Sequence, residues 1–177
     1  MSRAIIVAAF CLFATSASAG PNQYLCVVEQ SAGLHYNKQT NTWGPQVFGI
    51  NRKYVLRRLT VDDRDSKKGK WWALFKTHEK ANWAFFEFGK DNPMPLAACI
   101  DSEYSFACQR IIHYSDFDPE TLRFEVAYDG GYVGQGYWEK FAEKDPETFK
   151  KLRALGQAPD PDRADDLFVE IGKCSAF

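Results

Sequence analysis

Apolar and polar positions along this chain alternate mostly with a period of two. The stretch Thr121–Tyr128 is the clearest case, with Leu122, Phe124, Val126 and Tyr128 on one face and Arg123 and Glu125 on the other. That is the pattern of a half-buried antiparallel strand. Further strands are predicted over Tyr24–Glu29, Leu34–Asn37, Gln46–Ile50, Tyr54–Thr60, Lys70–Thr77, Trp83–Phe88, Phe106–Tyr114, Tyr132–Trp138 and Phe168–Lys173. Turn-forming stretches separate them, among them residues 37–41, 65–69, 91–93, 116–120 and 129–131. Nine or ten short strands at this spacing predict an all-β antiparallel domain, barrel-like or a sandwich. One short helix is predicted near the C-terminus. Asp145 can cap it, Pro146 suits its first position, and Phe149, Leu152 and Leu155 share a face before Gly156 ends it. Its apolar stripe is expected to pack on the barrel wall or to cover one end.

The segment around Glu79-Lys80 reads as a hairpin. If Thr77 pairs with Asn82, one face carries Trp71, Ala73, Phe75, Ala84, Phe86 and Phe88, which makes it the core face. The opposite face then carries Trp72, Leu74, Lys76, Trp83, Phe85 and Glu87. Large aromatics mixed with charge on that side are expected to be covered by another element or to form a ligand or partner surface.

The first nineteen residues have the form of an export signal. Arg3 precedes an apolar run over residues 4–13, and Ala17-Ser18-Ala19 offers a small-x-small cleavage site before Gly20. The expected organisation is a signal peptide over 1–19 and a single all-β domain over 20–177. Export places Cys26, Cys99, Cys108 and Cys174 in an oxidising compartment, where an even count favours disulfides. Cys99 and Cys108 flank an apparent hairpin turn, so a bridge between them is easy, and Cys26–Cys174 would then tie the first strand to the last. Two other pairings are open by sequence. Removing Arg3 with the leader leaves 21 basic residues against 23 acidic ones, a formal charge of −2. That balance gives no reason to expect nucleic acid as a partner, and no apolar run is long enough to span a membrane as a helix.

Motifs that carry chemistry are sparse. His35, His78 and His113 are spaced as no metal site requires, and the acidic loop over 116–127 lacks the sixth-position glycine and twelfth-position glutamate of a calcium loop. No cofactor or metal is implied. Gly130, Gly131, Gly134 and Gly136 interleave with Tyr132, Tyr137 and Trp138, as in a bent strand whose rings could stack on a sugar or an apolar ligand. The candidate binding residues are thus Trp72, Trp83, Phe85, Tyr132, Tyr137 and Trp138, and no catalytic residue stands out.

Cys99 and Cys108, Thr121-Leu122-Arg123-Phe124, Tyr128, Gly131-Tyr132 and the ending Val169-Glu170-Ile171-Gly172-Lys173-Cys174 together resemble small exported bacterial proteins of unknown function. The resemblance is best in the C-terminal half. It implies a location in the bacterial envelope, periplasmic or secreted, and brings no activity with it. The length, the export signal and Trp43 after Asn41-Thr42 also suggest a fold analogy with lipocalins, although the glycine expected before that tryptophan is absent. The leading expectation is a non-enzymatic binding module for an apolar or sugar-like ligand or a protein partner. The alternatives are a hydrolase using carboxylates, with Glu29, Glu87 or Glu125 as acids, and a purely structural envelope protein.

Overall fold

The computed structural model describes residues 21–64, 80–89, 95–102, 105–109, 113–130, 132, 135–154, 158–159 and 166–177. The expected leader and the strand expected over Lys70–Thr77, with Trp71 and Trp72, lie outside these residues. Nine strands are described: β1 Gln23–Asn37, β2 Thr42–Val47, β3 Lys53–Arg58, β4 Trp83–Glu87, β5 Ala97–Asp101, β6 Phe106–Gln109, β7 His113–Asp118, β8 Arg123–Tyr128 and β9 Leu167–Ala176. The helices are α1 Val61–Arg64, α2 Gln135–Lys144 and α3 Pro146–Ala154. Strands β3 to β9 pair antiparallel in chain order, and β1 closes the ring by pairing with both β3 and β9. The result is a closed eight-stranded barrel. β2 is an extra strand, held against the half of β1 that extends past β3.

Barrel closure fixes the width of the interior. The ladder from Gln23 runs through Arg57, Ala84, Ala98, Gln109, Tyr114, Ala127 and Val169 and returns to β1 at Ala32, nine residues further along. One of those nine is Glu29, extra at the β1 bulge between Val28 and Gln30. Eight strands with a stagger of eight enclose a space that side chains fill, as in the packed cores of (β/α)8 barrels. Rings occupy it here. Tyr24, Trp83, Phe106 and Phe117 interlock at one end with centroids 4.8–5.8 Å apart. Tyr54, Phe85 and Phe124 pack in the middle, at 5.9–6.3 Å. At the other end Phe168 stacks on Tyr128, which lies against His113. Among the described residues the barrel interior is therefore filled by side chains.

Both disulfides join residues directly opposite each other, Cys26–Cys174 across the β1/β9 seam and Cys99–Cys108 across β5/β6. The seam is unusually close. A Cβ on Gly172 would sit 2.0 Å from the Val27 carbonyl oxygen, so only glycine fits there. In the β7–β8 turn the Asp118 carboxylate accepts the backbone N–H groups of Glu120 and Thr121 and the Thr121 hydroxyl. These bonds hold its carboxyl below the ordinary carboxylate range, with the Thr121 hydroxyl the largest cause. The acidic stretch that superficially suggests a calcium loop is thus a side-chain-capped turn.

Several expectations need correction. The long β1 unites two expected strands, and Phe106–Tyr114 divides into the whole of β6 and the start of β7. β5 has no counterpart among the expected strands. The strand expected over Tyr132–Trp138 is contradicted from Gln135 onward, where α2 begins. Trp138, Phe141 and Ala142 recur at helical spacing and face inward together, while Glu139, Lys140, Glu143 and Lys144 are polar, so the period here is 3.6. Two helices rather than one follow β8. Asp145 ends the first, its N–H bonding the Phe141 carbonyl, and caps the second through the N–H of Thr148 at 3.1 Å. Trp138, Phe149, Leu152 and Ala158 form a second small core against Tyr128.

The facing of Trp83–Phe88 is reversed relative to the expected hairpin. β4 pairs with β3 and β5, which turns Trp83 and Phe85 into the barrel, at 2% and 0% exposure. Ala84 and Phe86 point outward yet are also buried, Phe86 beneath the Arg57 guanidinium at 4.2 Å. Both sides of this strand are covered, and parity within one hairpin could not distinguish them.

Candidate functional site

The candidate binding residues do not converge. Trp72 lies outside the described residues. Trp83 and Phe85 are core. Trp138 is buried beneath the helix pair, whereas Tyr137 is exposed on α2. Tyr132 is exposed and meets Trp43 edge-on at 5.5 Å, and Trp43 in turn packs on Tyr36, its partner across β1/β2. Of the exposed members of the expected set, Tyr137 packs on Phe141 and Trp138 of its own helix, and Tyr132 alone meets aromatics of the β1–β2 hairpin, which composition does not single out.

Two other places carry chemistry. The first is inside the barrel. Glu170 on β9 is fully buried, and its carboxylate accepts the Tyr54 hydroxyl, the Ser31 hydroxyl at 3.3 Å and Arg52 Nε at 2.7 Å. Burial, with the neighbouring Glu170 adding to it, pushes the Tyr54 hydroxyl far above its ordinary value, so this group stays a donor. The Arg52 guanidinium lies 4.0 Å over the Phe168 ring. Each carboxylate oxygen is engaged, and the network ties β1, β3 and β9 together. Its role is to satisfy a buried charge that would otherwise be costly.

The second place is the outside of the same wall. Directly opposed residues share a face, so the ladder Tyr114, Ala127, Val169, Ala32, Val47 forms one outward row across β7, β8, β9, β1 and β2. All five are apolar. Val47 is 76% exposed, Tyr114 49% and Val169 44%. The next outward row runs Asp116, Glu125, Ile171, with Glu29 at the bulge beyond. Glu29, Asp116, Glu125 and Ile171 line one shallow groove of about 560 Å³, bordered by Arg123 and Lys173. Asp116 and Glu125 are direct cross-strand partners of like charge, which destabilises a sheet. Among the described residues Glu29, Asp116 and Glu125 form no hydrogen bond or ion pair, whereas Asp118, which also lines the groove, is engaged by Glu120 and Thr121.

Glu29 and Glu125 therefore share a groove as a carboxylate mechanism would require, but Glu87 does not join them. It lies opposite Tyr54 on β3. The groove is open and its acids are exposed, with no wall to exclude water from a reacting centre. Among the described residues no group of three or more His, Cys, Asp or Glu side chains is arranged to hold a metal. No helix among them is long and apolar enough to cross a membrane.

No family model matches the chain, and neither a curated protein nor a solved structure does. The site must be read from its own geometry.

The outward row was hidden from sequence reasoning because its members stand at positions 32, 47, 114, 127 and 169 and only strand register joins them. One signal was present. Once Cys174 faces the interior to reach Cys26, period two sends Glu170 inward and Val169 and Ile171 outward.

Proposed function

We propose that this is an exported bacterial binding module, working in the periplasm or outside the cell, that engages a protein partner through the outer wall of β2, β1, β9, β8 and β7. It is not an enzyme in this reading, and it holds no ligand within the barrel. The carrying observation is the five-residue apolar row from Tyr114 to Val47, uncovered on a wall whose inner side is already filled. Exposed contiguous apolar surface of this kind marks interaction sites. Two disulfides suit an oxidising compartment, and the small-x-small motif before Gly20 supplies the route there.

The test is site-specific photocrosslinking in cells that export the protein, with the probe at Val169 or Tyr114 and a control at Val61, which is exposed on α1 away from this wall. Discrete protein adducts at the first two positions and none at Val61 are expected. Identical patterns at all three would sink the reading. So would recovery of the protein in the cytoplasm with its leader uncleaved.

A further inference from the structure

Resting on that reading of the outer wall, we infer that its partner is a cationic, apolar-bearing polypeptide segment, docked in extended form across the wall with basic side chains over the Glu29–Glu125–Asp116 row.

The wall is banded. Along the strands the apolar row of Tyr114, Val169 and Val47 gives way after two residues to the acidic row, and two residues later to Asp118, Arg123 and Lys173, where Asp118 is already engaged by its own turn and lies opposite Arg123. The acids of this row form no hydrogen bond or ion pair among the described residues. Asp116 and Glu125 face each other directly, a like-charge arrangement that costs stability, and Arg123 and Lys173 form no ion pair with either. Positive charge from outside would relieve that repulsion. It would do so beside side chains that themselves gain from being covered, namely Val169, Ile171 and Tyr114, each more than two-fifths exposed.

Size decides between a folded copy and a segment. Five strands about 4.8 Å apart, with three same-face rows about 7 Å apart, present on the order of 500 Å². A stable pair of folded proteins needs about 800 Å² from each partner. Two convex barrels would also touch along a narrow band only, whereas an extended segment follows the curvature. Strand addition at the free edge of β2 is disfavoured by Pro45, which has no N–H to donate. An anionic membrane or nucleic acid is disfavoured by the same three carboxylates.

The experiment is fluorescence anisotropy with the disulfide-bonded protein and three labelled twelve-residue peptides. One alternates lysine with leucine, one alternates glutamate with leucine, and one alternates lysine with serine. Saturable binding of the lysine–leucine peptide is expected, with the other two at least tenfold weaker. Affinity should fall about three- to tenfold in the double variant Asp116→Asn, Glu125→Gln, and should fall with added salt. Val169→Ser should weaken binding without altering the unfolding midpoint, which separates docking from folding. Equal binding of the glutamate peptide, or indifference to the double variant, overturns the proposed chemistry. A concentration-dependent dimer in sedimentation, abolished by Val169→Ser, would overturn it in favour of a second copy. Crosslinks at Val169 without charge-dependent peptide binding would refute this partner while leaving the docking wall intact, and absence of both would remove the two together.

Discussion

The two faces of β9 make the sharpest contrast in the molecule. Inward lie Phe168, Glu170, Gly172 and Cys174, and outward lie Val169, Ile171 and Lys173. The inner side holds a charge whose every oxygen is paired, while the outer side holds two large apolar residues, each 44% exposed, beside the unpaired acids of β7 and β8. A rule that sends apolar residues inward would orient this strand the wrong way. What orients it is the ensemble of its neighbours: the disulfide at Cys174 fixes the parity, and the buried network with Arg52, Tyr54 and Ser31 makes an inward glutamate tolerable. Inside, the Glu170 charge is retained because both of its oxygens are satisfied. Outside, apolar groups remain uncovered at a cost that folding alone does not explain.

The largest expected effect tests the inner side. Glu170→Ala leaves Arg52 and Tyr54 facing each other without their common acceptor, and should destabilise by about 3–5 kcal/mol in urea unfolding. A loss under about 1 kcal/mol would mean the network is not what orients β9. Trp83→Ala, which empties space among Tyr24, Phe106 and Phe117, should cost a similar 3–5 kcal/mol or so. Its outer-wall counterpart Val169→Ser should stay within about 0.5 kcal/mol of the parent. If the two substitutions cost the same, the distinction between a filled interior and an uncovered wall collapses.

A smaller effect is expected where the barrel meets α1. Arg57 grips Asp63 through both Nη groups at 2.7 and 2.8 Å, and Thr60 and Asp63 cap one another across the helix start. The Arg57 hydrogen bonds, joined by those from Thr60 and opposed by partial burial, lower the Asp63 carboxyl from 3.8 to about 2. The folded-state value lies below the ordinary one, so the stabilisation is complete above about pH 4 and is lost as pH falls through about 2. Unfolding midpoints measured across that window should fall with acid more steeply in the parent than in Asp63→Asn. Parallel curves would refute the assignment.

The smallest expected effect has the opposite sign. Asp116→Asn removes one of two opposed carboxylates and should raise stability by a few tenths of a kcal/mol. A measurable loss would show that Asp116 has a folding role, and the outer wall would no longer differ in kind from the inner one.

Much of this contrast lies beyond what the chain reveals when read in line. Period two in Leu122, Phe124, Val126 and Tyr128 predicts β8 and its inward face, because a half-buried strand writes its burial directly into its alternation. The four cysteines and the hairpin between Cys99 and Cys108 suggest the pairing that both bridges adopt. Asp145-Pro146 marks the start of α3, since capping and proline preference are local. β5 is missing from such a reading because Ala97 and Ala98 carry little hydrophobic contrast. The helix at Gln135 is misread because glycines and aromatics mask a 3.6 period. Facing at Trp83 and Phe85, the filling of the barrel and the row from Tyr114 to Val47 depend on which strands pair and with what stagger. Those are long-range facts. Sequence by itself determined the alternation, the caps and the cysteine framework, each set by residues within a few positions of one another. Only closure of the sheet decided inside from outside, because a strand buried on both faces, or one that turns its charge inward, is ambiguous until its neighbours are in place.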